Sequence, residues 1–86
     1  MTTAYREAYI VKRELEYKII EHIATISSKN NVTKELNRIS YNGQEPKLDL
    51  RAWQQEGRER RMLKGITLTD AEAAALKEAL DHLEAR

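Results

Sequence analysis

The sequence has no cysteine and is poor in glycine, proline and aromatic residues. Its 86 residues include three Gly, one Pro, one Trp, four Tyr and no Phe. Without cysteine there is no disulfide and no thiolate metal site, and nothing indicates an oxidising compartment. A chain of this length predicts one small domain, which buries only about 60–65% of its unfolded surface. Because dimerisation is a common remedy for a small core, we expect a homodimer.

Long apolar runs and catalytic signatures are also missing from the sequence. No segment reaches the roughly 18 apolar residues of a membrane span, and there is no signal-peptide core. His22 and His82 are far apart and match no metal-ligand spacing. Neither a glycine-rich phosphate loop nor a G-x-S-x-G motif occurs. The sequence therefore predicts no enzymatic activity, no catalytic residue, no metal, no cofactor and no membrane partner.

Charge is nearly balanced overall but is unevenly distributed. The formal net charge is only +1. Residues 29–68 carry nine Lys or Arg against five acids, whereas residues 69–86 carry two against five. The middle of the chain is therefore basic and its C-terminal part acidic. Such a distribution gives a molecule one side that attracts polyanions and another that repels them.

The run Lys47–Trp53 predicts a strand with two unlike faces, because strand side chains alternate between faces. One face is apolar, with Leu48, Leu50 and Ala52. The other holds Lys47, Asp49, Arg51 and Trp53. A face with cations and an aromatic ring suits a single nucleic-acid strand, whose phosphates attract positive charge and whose bases stack on rings. The alternative is a half-buried strand with a solvated polar face.

A hairpin is predicted before this strand. Val32–Tyr41 is rich in β-prone residues, and Asn42-Gly43 favours a type I′ turn, whose two central residues need positive φ. If Tyr41 faces Gln44, like charges lie opposite each other in two pairs. These pairs are Arg38 with Lys47 and Lys34 with Arg51. Like-charged pairs are destabilising unless they are solvated or bind an anion.

This register puts Tyr41 on the apolar face, and a β-bulge near Asn37 would move it to the basic one. After Trp53, residues 54–61 (QQEGRERR) contain no apolar side chain and predict an exposed loop. Three of its residues are candidates to reach a phosphate backbone: Arg58, Arg60 and Arg61. Met62–Leu68 predicts a short strand, in which Gly65 suggests a bend or a bulge.

The C-terminal helix has the clearest sequence signals. Thr69 is a suitable N-cap, and Glu72 completes a T-x-x-E capping box. One apolar stripe follows at helical spacing, formed by Leu76, Leu80 and Leu83 with Ala73 and Ala79. We expect this stripe to bury against the sheet, against a partner helix, or against both.

The first third of the chain is less regular. Tyr17–Ser27 predicts a strand because it is rich in β-branched residues. Its isoleucines do not alternate strictly, so the strand is buried on both faces or carries a bulge. Ser27–Asn31 predicts a turn. Residues 1–16 form an N-terminal extension, either a short helix or a tail, and residues 17–86 form the binding domain.

Two motifs in this order resemble a known family. E-P-K-L-D-L-R-A-W and K-G-I-T-L-T resemble the C-terminal domain of the eukaryotic transcriptional coactivator positive cofactor four, and more closely its short YdbC-like bacterial relatives. The resemblance covers roughly Tyr17–Leu83. It implies an α+β fold in which a four-stranded curved antiparallel sheet is followed by one C-terminal α-helix (β-β-β-β-α), in a homodimer that binds single-stranded DNA with little sequence preference. We accordingly expect a role in transcription, replication or repair, in the bacterial cytoplasm and associated with the nucleoid.

The resemblance also assigns candidate DNA contacts. Arg51 matches the arginine of the family's D-[IL]-R strand, and Lys64 matches the lysine before G-I. Tyr41 and Trp53 fall near the family's aromatic positions, whereas Lys34, Arg38 and Lys47 correspond only loosely to its basic sheet positions. Three other classes of function stay open: a protein-interaction module for an acidic partner, a double-stranded DNA binder that lays a β-ribbon in a groove, and an RNA binder.

Overall fold

Four antiparallel strands and one helix make up residues 16–83, the part of the chain that the computed structural model describes. The strands β1 to β4 and the helix α1 span Tyr17–Lys29, Val32–Tyr41, Lys47–Glu56, Glu59–Leu68 and Asp70–Asp81. The strands lie in the sheet in chain order, so every adjacent pair is a hairpin. The predicted fold class is confirmed. The predicted helix or tail over residues 1–16 lies outside the described residues, apart from Glu16.

The three hairpins have tight turns built on residues with positive φ. Asn30 and Asn31 have φ of 52° and 66°, and Asn42 and Gly43 have φ of 51° and 74°. Asparagine adopts this left-handed conformation more easily than most residues, which suits it to a type I′ turn. The first turn is shorter than the predicted Ser27–Asn31, because β1 continues to Lys29.

The predicted loop over residues 54–61 is wrong. β3 continues to Glu56, β4 begins at Glu59, and only Gly57 and Arg58 form the turn between them. Gly57 has a φ of 63°, and glycine at the first central position permits a two-residue hairpin turn. The polar composition of this segment indicates exposed strand ends, on which charged side chains stay in water. The strand β4 is therefore three residues longer than the predicted Met62–Leu68.

The predicted register between β2 and β3 is wrong by one residue. Arg38 lies opposite Leu48, and Lys34 lies opposite Ala52. The Asn42-Gly43 turn forms as predicted, with the Gln44 N–H donating to the Tyr41 carbonyl at 2.9 Å. The strand resumes only at Lys47, and the spacer of residues 44–46 accounts for the shift. No like-charged pair results. Glu35 instead faces Arg51.

The strand β1 is irregular because it carries bulges, which was one of the two predictions made from its sequence. Its pairing with β2 shifts register three times, and each shift adds one residue to β1. The added residues are Ile20, Ile23 and Ile26, which are 50%, 40% and 60% exposed. Bulges therefore explain why these isoleucines fail to alternate, and burial on both faces does not.

Gly65 lies where β4 approaches β3 most closely. A Cβ atom at this position would meet the Arg51 Cβ at 1.9 Å, so no other residue fits without a shift of the backbone. The register between β3 and β4 changes between Arg51 and Trp53, which confirms the bulge that Gly65 suggested. The close approach fixes the position of Arg51 on β3.

The helix covers part of one face of the sheet, here called the helix face. Its Ala73, Leu76 and Leu80 line an open hollow together with Leu36, Leu48 and Leu68 of the sheet, and the helix contacts β3 and β4. The capping box at its N-terminus is present, since the Glu72 N–H donates to Thr69 Oγ1 and the Thr69 N–H donates to Glu72 Oε1. Much of the apolar stripe stays uncovered in the single chain, with Leu76, Leu80 and Leu83 38%, 55% and 51% exposed.

Candidate nucleic-acid interface

The opposite face of the sheet, here called the tryptophan face, contains the most deeply buried side chains. Strand alternation and the observed register bring together Glu35, Asn37, Ile39, Tyr41, Lys47, Asp49, Arg51 and Trp53. Three of them are polar and buried, namely Glu35, Asn37 and Asp49. Polar groups in such surroundings need partners, because a buried donor or acceptor left unpaired costs about 1–3 kcal/mol. Hydrogen bonds within this face pair all three of these buried polar side chains.

Trp53 lies between a cation and a second aromatic ring. The Arg60 guanidinium carbon is 4.7 Å from the indole centroid, within the range of a cation–π contact. The Tyr17 ring is tilted by 56° against the indole, with the two centroids 5.6 Å apart. Trp53 itself is only 1% exposed. Within the described part of the chain its Nε1–H has no hydrogen-bond acceptor.

Glu35 connects Arg60 to the rest of this face. Its Oε2 accepts hydrogen bonds of 2.7 Å from Arg60 and of 2.7 Å from the Thr33 hydroxyl. Its Oε1 accepts a longer one, 3.3 Å, from Asn37. Burial alone would raise the pKa of Glu35, but the hydrogen bonds from Thr33, Arg60 and Asn37 outweigh it and lower the pKa below its usual 4.5. The carboxylate is therefore ionised at neutral pH and holds Arg60 in place.

A second ion pair occupies the middle of the tryptophan face. Arg51 donates from Nε and Nη2 to the two carboxylate oxygens of Asp49, at 2.7 and 2.8 Å. Its Nη1 donates to the Leu63 carbonyl at 3.0 Å. The hydrogen bond to Asp49 outweighs burial and raises the pKa of Arg51. All three guanidinium nitrogens are thus engaged, and three of the five N–H donors of Arg51 are used within the fold.

Tyr41 is a third member of this cluster, because it also binds the Asp49 carboxylate. Its hydroxyl donates to Asp49 Oδ2 at 2.6 Å. Burial and the hydrogen bond to the Asp49 carboxylate raise the pKa of Tyr41 to about 12, because ionisation would place a second negative charge beside the first. Tyr41 lies on the same face as Trp53, where a bulge near Asn37 was expected to bring it. The shifted register achieves this without a bulge between β2 and β3.

The structure divides the predicted binding residues between the two faces. On the tryptophan face are Tyr41, Lys47, Arg51, Trp53 and Arg60. On the helix face, by strand alternation and contacts, are Lys34, Arg38, Arg61 and Lys64. Arg58 lies in the turn between β3 and β4. The expectation that Lys34 and Arg38 share a face with Arg51 is wrong, because the register differs by one residue and side-chain direction alternates.

Trp53 was expected on an open stacking surface. Its face is the predicted one, but the indole is covered, since Tyr17 and Arg60 both pack against it. Alternation along a strand predicts which face of the sheet a side chain lies on. It does not predict whether side chains from other strands cover it. Lys47, on the same face, is exposed and makes no ion pair within residues 16–83.

Cations on the helix face lie beside uncovered apolar surface. Lys34 and Lys64 line an open hollow with Ile26, Leu50 and Ala52, and neither lysine makes an ion pair within the described residues. Arg38 is 3.8 Å from Asp70 at the start of the helix, a contact in which the Asp70 side chain is 87% exposed. Arg61 has a similarly long and exposed contact with Glu56. Exposed pairs of this kind contribute little to stability.

Sequence reasoning missed two residues of the tryptophan face. Glu35 is not among the predicted site residues, although it alternates along β2 with Asn37 and Ile39, the signal of a shared face. Tyr17 was taken only as the first residue of a strand, and its contact with Trp53 spans three strands. No sequence pattern relates residues so far apart. Among residues 16–83, no group of three or more His, Asp or Glu side chains is placed to hold a metal ion.

Comparison with known proteins identifies the class of this fold. Residues 28–79 match the model of the family described as transcriptional coactivator p15 (PC4). The chain belongs to this family, whose members bind single-stranded DNA and act in transcription coactivation without enzymatic activity. The matched residues include β2, β3 and β4 and most of α1. The predicted resemblance is therefore confirmed.

A bacterial relative extends the match to nearly the whole chain. An uncharacterised protein from Treponema pallidum (strain Nichols) is 37% identical over 79 residues, which cover 91% of each protein. No helix in the described part of the chain combines the length and the apolar character needed to cross a membrane.

Proposed function

We propose that this protein is a homodimer that binds single-stranded DNA with little sequence preference, in transcription, replication or repair. The observation that carries the proposal is the family match, because the matched segment contains the strands that build the tryptophan face. That face combines aromatic rings with cations, and DNA-binding surfaces for single strands combine the same groups. Backbone phosphates would meet Lys47 and Arg60, and bases would stack near Tyr17 and Trp53.

The second copy in this proposal is supported by uncovered apolar surface. The helix stripe and Ile66 on β4 stay exposed, with Leu80 at 55% and Ile66 at 53%. Contiguous exposed apolar surface on a small protein commonly marks an interaction site. A second copy that covers the helix stripe would leave the tryptophan face available, since that face lies on the other side of the sheet.

The experiment that tests DNA binding is a comparison of four labelled oligonucleotides of one length: single- and double-stranded, each as DNA and as RNA. Affinities are measured by fluorescence anisotropy at two salt concentrations. We expect single-stranded DNA to bind most tightly, with log K falling against log salt by roughly 0.7 for each phosphate contacted. Tighter binding of either duplex, or affinity independent of salt, would contradict the proposal. A preference for single-stranded RNA would move the function to RNA.

A charge-matched pair of variants then locates the contact surface. Lys47→Ala removes an exposed cation from the tryptophan face, and Lys34→Ala removes one from the helix face. If DNA lies on the tryptophan face, Lys47→Ala makes the salt dependence shallower by about one phosphate contact, whereas Lys34→Ala changes it less. The opposite ranking would place the DNA on the helix face.

A further inference from the structure

Arg60 covers the ring of Trp53, a group on which a base can stack when it is accessible. Its guanidinium lies over the indole at 4.7 Å, and the Tyr17 ring packs against the same indole, tilted by 56°. The indole is 1% exposed as a result. A base therefore has no access to Trp53 while Arg60 stays in this position.

Glu35 keeps Arg60 there. The carboxylate accepts a 2.7 Å hydrogen bond from Arg60 Nη2, and its side chain is 9% exposed against 36% for Arg60. The buried partner is fixed by Thr33 and Asn37, so the pair opens when the arginine moves outward. Arginine binds phosphate with the same planar group that it offers to a carboxylate, which makes a DNA phosphate a direct competitor of Glu35.

The Trp53 indole has an unused hydrogen-bonding group. Its Nε1–H is buried and has no acceptor within residues 16–83. A buried donor without a partner is unfavourable, and buried side-chain donors in folded proteins are usually paired. A nucleotide that enters beside the indole brings carbonyl and phosphate oxygens that can accept this hydrogen bond. The free protein lacks such an acceptor in the described region.

We propose that Arg60 is a displaceable cap on Trp53, and that Glu35 sets the affinity for single-stranded DNA by holding the cap closed. A phosphate draws Arg60 away from Glu35, and a base takes its place on the indole. The proposal rests on the proposed function. It adds that Glu35, which does not contact the DNA, opposes binding, so that weakening its hold on Arg60 makes binding tighter.

The test uses Trp53 as a reporter, because it is the only tryptophan of the chain. Single-stranded oligothymidylate is titrated into the wild type and Glu35→Gln, and affinity and tryptophan fluorescence are recorded together. Glu35→Gln keeps the shape of the side chain and removes its charge, so we expect binding about fivefold tighter, the upper value for a partly exposed ion pair. Glu59→Gln is the matched control, since it removes the same charge from the residue next to Arg60 on β4 and Glu59 makes no ion pair within the described residues.

A second variant keeps the test valid if Glu35→Gln fails to fold, which thermal melting monitored by circular dichroism would show. Arg60→Ala removes the cap directly, so acrylamide should quench Trp53 of the free variant more strongly than Trp53 of the wild type. DNA should still quench its fluorescence, while the salt dependence loses about one phosphate contact. Arg61→Ala removes an equal charge from the helix face and should leave the acrylamide quenching of Trp53 unchanged.

The outcomes separate the cap from the proposed function. If the wild type does not bind oligothymidylate, the proposed function fails. If it binds, but Glu35→Gln binds no more tightly than Glu59→Gln, Glu35 does not oppose binding. If DNA leaves Trp53 fluorescence unchanged in both the wild type and Arg60→Ala, no base reaches the indole. Either of the last two results overturns the cap.

Discussion

At Gly65 the sheet has no room for a side chain. The position faces Arg51 across the ladder, and the Arg51 Cβ, Arg51 Cα and Leu50 carbonyl oxygen all lie within 2.6 Å of where a Cβ would stand. These atoms belong to backbone or to the first carbon of a side chain, so rotation of a flexible group cannot relieve the clash. Arg51 can therefore lie close to β4, where its Nη1 reaches the Leu63 carbonyl.

We expect Gly65→Ala to lower the free energy of unfolding by roughly 3 kcal/mol or more, at the upper end of the cost of overpacking. Urea denaturation measures the difference. Gly57→Ala is the control, because nothing lies within 4 Å of its added methyl group and only its φ of 63° is unfavourable. Its cost should be about 1–2 kcal/mol, the cost of the left-handed conformation for a residue with a Cβ. Equal costs for the two substitutions would show that the sheet relaxes at Gly65.

The Tyr41 hydroxyl gives the protein a pH dependence at its alkaline limit. Its pKa is raised from 10.0 to about 12, so the folded state retains this proton at a pH where the unfolded chain loses it. The stabilisation is complete below pH 10 and is lost as the pH rises from 10 to 12. We expect Tyr41→Phe to be less stable than the wild type at neutral pH, since Asp49 loses a hydrogen bond worth about 1 kcal/mol.

The informative measurement is the difference in unfolding free energy between wild type and Tyr41→Phe across pH 8 to 12. Other tyrosines and lysines titrate in both proteins and cancel in this difference. This difference in unfolding free energy should become smaller above pH 10, because only the wild type loses the Tyr41 contribution. A difference that stays constant through pH 12 would mean that Tyr41 titrates normally.

At the scale of single elements, local signals in the sequence predict the structure well and pairing between strands less well. The capping box at Thr69 and the Asn42-Gly43 turn depend on adjacent residues, and both form as predicted. The register between β2 and β3 depends on the residues that separate the turn from Lys47, and a shift of one residue reverses which cations share a face. The ion pairs of Glu35 and Asp49 follow from this register, so the interior of the candidate site could not be predicted.

Thr69 tests how much one cap contributes to the helix. Thr69→Ala removes the acceptor for the Glu72 N–H, and we expect a loss of about 1 kcal/mol in the free energy of unfolding. Thr69→Ser retains the hydroxyl and should cost much less. Circular dichroism during urea denaturation measures both variants. If alanine is as stable as serine here, the Thr69 hydroxyl contributes no stability to the helix.

For the whole molecule, the uncovered stripe on α1 predicts association. Sedimentation equilibrium at micromolar concentration should return about twice the chain mass of 10.0 kDa. Leu80→Lys places a charge in the stripe, where Leu80 is 55% exposed in the single chain, and should shift the protein toward monomer. Ala74→Lys adds the same charge on another side of the helix, at 100° per residue, and should remain dimeric. A wild type that sediments as a monomer would refute the proposed dimer.

The three bulges of β1 also bear on how this protein avoids fibre formation. β1 is an edge strand of the sheet, and an edge with a row of free backbone groups is a template on which another chain can grow. In β1 an extra, unpaired residue follows every two or three residues that pair with β2. These bulges break the two-residue alternation that a further strand would need in order to pair along this edge. The isoleucines that occupy the bulges are therefore exposed along an edge that an extended strand cannot follow, so the protein displays apolar side chains at this edge without offering a ladder for aggregation.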